Sequence, residues 1–130
     1  MASSVKVGVA HILPFNIPAT ELSAGTTIEH IAPVDGYIDE LSVIVQTAIV
    51  TGGTVTVGLG ATPTLVAGLT VTVGDSATKG TRYTDTSTAG SSTRKVTKGD
   101  RIQIIPAAAF NGGGELRGFL VINSAPGTPA

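Results

Sequence analysis

The chain has 130 residues, 42% of them apolar and 13% charged, with a net charge of −1, which suits one domain with a real core and excludes a chain too polar to fold. Cysteine is absent, so disulfide staples and thiolate metal sites are excluded; so are the basic excess of a general nucleic-acid binder and any apolar run near the ~20 residues of a membrane span. With 19 threonines, 17 glycines and few helix formers, the class is all-β.

Residues 1–25 stand apart. Val5, Val7 and Val9 alternate with Lys6 and Gly8 as in a short strand. Pro14 and Pro18 each lack the donor that a central strand needs. The segment is expected to be an extended N-terminal arm whose Phe15 and Ile17 cover the domain's own edge or dock on a neighbour. From residue 26 to 124 the pattern is that of a β-domain. A strand at 26–32 ends at Pro33, and Asp35-Gly36 signals a turn. The next strand, 37–46, breaks alternation because Ile38 and Leu41 lie three apart. A β-bulge at Asp39-Glu40 would return both to the core. Thr-Val-Thr-Val-Gly occurs at 54–58 and again at 70–74. The two copies predict a hairpin with valine inward and threonine outward.

Residues 74–93 are mostly Gly, Ser, Thr, Asp and Ala and predict a long polar surface loop. Order resumes at Arg94, and Lys98-Gly99-Asp100 forms a turn. A strand at 101–105 ends at Pro106, Asn111 to Gly114 turn the chain, and a last strand fills 116–123. Residues 125–130, with Pro126 and Pro129, read as a C-terminal tail. Seven to nine strands with short turns predict an antiparallel β-sandwich or jelly roll.

Catalytic chemistry finds no foothold in this inventory. His11 and His30 are far apart in sequence and lack metal-ligand spacing. No nucleophile-elbow motif marks a serine. Gly112-Gly113-Gly114 leads into a strand, so no helix N-terminus is available for a phosphate. Expected, therefore, are no catalytic residues, no cofactor and no metal. The chain's polarity is uneven: residues 1–74 carry net −4 and residues 75–130 net +3. Lys79, Arg82, Arg94, Lys95, Lys98 and Arg101 form a basic set; Arg82, Arg94 and Lys95 join Phe15 and Ile17 as candidate partner-binding residues. The uncharged Thr-Val faces, with few gatekeeping charges on strand edges, suggest a protein that buries outer surface against other copies.

Several stretches carry a family resemblance. They are Ala-Pro-Val-Asp-Gly-Tyr-Ile at 32–38, Thr-Gly-Gly-Thr-Val-Thr-Val at 51–57, Gly-Leu-Thr-Val-Thr-Val at 68–73 and Val-Thr-Lys-Gly-Asp-Arg-Ile at 96–102. Over roughly 26–124 the chain resembles the small capsid decoration, or cement, proteins of tailed bacteriophages. The resemblance implies a homotrimer on the outer surface of the virion's icosahedral head, clamping the major capsid protein, with no direct contact to nucleic acid or membrane. The Lys-Gly-Asp-Arg-Ile turn also resembles trimeric jelly rolls of the tumour-necrosis-factor type, found in fibres and surface filaments. That gives the alternative, a fibre or spike module binding host glycans.

Overall fold

The computed structural model describes residues 9–107, 110–111 and 114–124. The described residues form β1 (Ala10–Ile17), a short helix α1 (Ala19–Ala24), β2 (Ile28–Ile31), β3 (Gly36–Thr47), β4 (Gly53–Leu59), β5 (Thr64–Val73), β6 (Arg82–Thr86), β7 (Lys95–Val96), β8 (Arg101–Pro106) and β9 (Glu115–Ser124). A 3-10 turn, Ser92–Arg94, precedes β7.

All pairings are antiparallel. β1 pairs with β9, β2 with β8, β3 with β6 and β4 with β5. Further pairing of β3 with β9 and of β4 with β8 rolls this ribbon into two sheets. One runs β1-β9-β3-β6, with β7 added to β3; the other runs β2-β8-β4-β5. That strand order is a jelly roll, an antiparallel β-sandwich. Alternation along each strand fills the space between the sheets. Ile38, Leu41, Leu116, Leu120 and Ile122 come from one sheet, and Val55, Val57, Val71, Ile102 and Ile104 from the other, all nearly or wholly buried.

The repeated Thr-Val segments form the expected hairpin, with Val55 opposite Val71 and Thr54 opposite Thr72. Val71 is buried and Thr72 exposed. The bulge lies where the spacing of Ile38 and Leu41 predicts it. Ile38 pairs with Ile122 and Glu40 with Val121, which leaves Asp39 as the extra residue.

Two expectations are corrected. Residues 10–17 are no arm: they pair residue for residue with β9, from Ala10–Asn123 to Ile17–Leu116. Pro14 is tolerated because β1 is an edge strand with one side free of ladder bonds. Phe15 and Ile17 are buried in the core, so they cover the domain's own interior. The chain then turns through α1, which drops Leu22 into the core and ends at Gly25 with φ 70°, a left-handed stop that glycine adopts without strain. The boundary expected at residue 25 therefore does not separate an arm from the sandwich. The flanking stretches 1–8 and 125–130, including Val5, Val7 and the expected tail, lie outside the described residues, as do Gly112 and Gly113 of the expected turn.

The second correction concerns the polar loop at 74–93, which contains β6. Its inward side chains, Tyr83 and Asp85, are polar because they cap a neighbouring edge. Asp85 Oδ2 accepts the Thr70 N–H at 3.2 Å, and the Tyr83 hydroxyl accepts the Gly74 N–H at 3.3 Å. Thr93 Oγ1 adds a third cap on β5, accepting the Ala67 N–H at 3.0 Å. No such caps reach β1 or β2 among the described residues, and Ile12 and Ile31 on those strands are 53% and 71% exposed.

Candidate functional site

The site is built from the outward residues of the five-stranded sheet. In β9, Leu116, Leu120 and Ile122 point inward, so Arg117, Phe119 and Val121 point outward. The register extends these positions into three cross-strand rows on one face. The first holds Ile12, Val121, Glu40 and Thr86; the second Pro14, Phe119, Ser42 and Thr84; the third Asn16, Arg117, Ile44 and Arg82. Ile12, Pro14, Phe119, Val121 and Ile44 thus form an apolar area on the outside of the molecule. Ile12 is exposed and Phe119, Val121 and Ile44 are half-buried, and a contiguous apolar area of this kind is a candidate interaction surface.

A shallow hollow of about 170 Å³ opens beside Phe119, lined by Ser42, Val43, Ile44, Arg82, Gly118 and Phe119. It exists because Ser42 is small where its row neighbour Phe119 is large. Ser42 is 7% exposed and polar, yet its hydroxyl has partners within the sheet. It bonds to Glu40 Oε2 at 2.9 Å and meets Thr84 Oγ1 at 3.0 Å. A floor whose polar group is already satisfied can lose water without the penalty of an orphaned donor. Gly118 is required beneath it: a Cβ there would land on the Ser42 carbonyl oxygen and against the Phe15 ring.

The chain has four arginines. Arg94 pairs with Asp39 and Arg101 with Glu29. Arg82 and Arg117 are exposed, have no ion pair among the described residues, and flank Ile44 in one row.

The residues singled out from sequence therefore separate. Arg82 lies on the outer face. Phe15 and Ile17 lie behind it, in the core. Arg94 is held: its guanidinium bonds to Asp39, in the bulge, and sits 5.0 Å from the Tyr37 ring centroid. The Asn123 amide donates to the same carboxylate. This cluster fixes the bulge and leaves Arg94 little freedom to meet a partner. Lys95 pairs with Tyr37 at the far end of the same sheet, beyond the Glu40 row. Arg117, Phe119, Val121 and Ile44 were not among the candidates, although the alternation of Leu116, Leu120 and Ile122 carries the signal for three of them.

On the second sheet, the Arg101 guanidinium donates to Glu29 Oε1, and the Gln103 amide donates to the same oxygen at 3.2 Å. These bonds, Arg101's first, hold the Glu29 carboxyl below its ordinary pKa, and Glu29 raises that of Arg101. A hollow of about 640 Å³ lies beside this pair, lined by Glu29, His30, Ile31, Gly99 and Arg101. His11 and His30 face inward on β1 and β2, and His30 Nε2 is buried without a hydrogen-bond partner. Among the described residues, no three His, Asp or Glu side chains gather as metal ligands, and no helix is long and apolar enough to cross a membrane.

No family model matches the chain, and neither the curated proteins nor the solved structures contain a significant match.

Proposed function

We propose that this chain is a decoration protein of a tailed-phage head. As a homotrimer it binds the major capsid protein on the outer surface of the shell and holds neighbouring subunits together, without catalysis. Jelly rolls serve in viral shells and in lectins alike, so the surface carries the reading. The observation that supports it best is the apolar outer face around Phe119, whose floor is internally hydrogen-bonded and ready to be dried by a partner. The resemblance in 26–124 to cement proteins supplies the partner class.

The physics of such a role is linkage. A ligand that binds only the intact shell stabilises it by about 2.7 kcal/mol per site at a free concentration 100 times Kd. Three joined footprints give an overall affinity ~10²–10⁴-fold above that of one alone. Heads prepared with and without the protein, melted while DNA release is followed, test the reading. Decorated heads are expected to release DNA at higher temperature. Identical curves at full occupancy overturn it and move the weight to the fibre or glycan-binding alternative.

A further inference from the structure

We infer that the face around Phe119 docks an acidic protein surface, one that presents carboxylates beside an apolar side chain. The inference rests on the decoration reading for the partner's identity, the head shell; its chemistry is argued from charge. Around the hollow stand Arg82 and Arg117, both without an ion pair among the described residues; the carboxylates on the same outer face are Glu40 and Glu115, one row to either side. Glu40 is already engaged, because its Oε2 accepts the Ser42 hydroxyl proton. Both guanidiniums are thus free to take carboxylates from a partner.

The geometry narrows the occupant further. Arg117, on β9, and Arg82, on β6, stand on either side of Ile44, on β3. Two strand spacings set their backbones roughly 10 Å apart. Alternate side chains of an extended partner segment lie roughly 7 Å apart on one side, and arginine's long stem closes the difference. Two partner carboxylates can then meet the two guanidiniums, each with the paired donors that suit a carboxylate. An apolar side chain next to them fits the hollow beside Phe119.

The experiment uses the full chain and bare heads. Wild-type protein is expected to co-sediment with heads and to bind more weakly as salt rises, because exposed charge pairs are screened. Arg82→Glu combined with Arg117→Glu is expected to weaken binding by about tenfold or more, and the double Gln variant by less. Both side chains are exposed, so circular dichroism should show an unchanged fold. Lys95→Glu with Lys98→Glu makes the same charge change at the other end of the sheet, seven residues and roughly 23 Å along β3. It is expected to stay within about twofold of wild type. If wild type binds and the Arg82/Arg117 reversal binds equally well, the face inference falls while the decoration reading stands.

If wild type does not bind bare heads, the decoration reading falls, and a second arm judges the face alone. A capped peptide of alternating Glu and Leu is titrated into labelled protein and followed by NMR. Shifts centred on Ile44, Arg82, Arg117 and Phe119 support an acidic partner. Shifts spread over all basic residues, or none, overturn it.

Discussion

Gly118 shows how one missing side chain serves both faces of a sheet. It lets β9 approach the Ser42 carbonyl and leaves room for the Phe15 ring. Gly118→Ala is expected to destabilise the fold by about 1–3 kcal/mol through overpacking, seen as a lower urea midpoint at constant slope. Glu29 is a second residue-scale case. Its hydrogen bonds from Arg101 and Gln103 depress the pKa of its carboxyl. A depressed folded pKa means that the pair's contribution is present above the unfolded glutamate pKa and is lost as pH falls through the folded one. An NMR titration of the Glu29 carboxyl is expected to give a midpoint below the usual glutamate value. Arg101→Gln should move it upward. An unmoved midpoint would show that the ion pair does not form in solution.

At the scale of elements, β1 changes what truncation should do. Removing residues 1–18 takes away the strand that covers β9, together with buried Phe15 and Ile17. Loss of two large core side chains and a full ladder is comparable to the whole stability of a domain, ~5–15 kcal/mol. The truncated protein is expected to lose its cooperative thermal transition in circular dichroism; a native-like melt would return these residues to the status of an arm. How legible each element was in the sequence follows from what its inward side chains do. The β4–β5 hairpin and the Asp39 bulge were readable because valine, isoleucine and leucine mark the inner face directly. β6 was hidden because Tyr83 and Asp85 point inward to cap the β5 edge and carry no apolar alternation. β1 was obscured by Pro14, which signals an edge as readily as an arm. α1 has a single buried residue, Leu22, and so no periodicity to detect. The candidate site was half legible: β9 alone turns Arg117, Phe119 and Val121 outward, whereas their union with Ile44 and Arg82 depends on the register of three strands distant in sequence.

For the molecule as a whole, the proposed trimer predicts a light-scattering mass near three times that of the chain at micromolar concentration, and a monomer mass would defeat it. The unequal edges of the jelly roll bear on a different kind of association. On one flank the β5 backbone is closed by Thr93, Asp85 and Tyr83. On the other, β1 and β2 have no side-chain caps among the described residues and carry exposed Ile12 and Ile31. Edge-to-edge growth of a fibre requires each molecule to offer two adhesive flanks, one for the neighbour behind and one for the neighbour ahead. With β5 closed by its caps, the four-stranded sheet has one adhesive edge, β2, and a valence of one; β6, the far edge of the other sheet, has no such caps on Arg82 or Thr84 among the described residues. Pairing through β2 therefore terminates after the first partner, and the four-stranded sheet does not propagate when the protein is concentrated on a crowded surface.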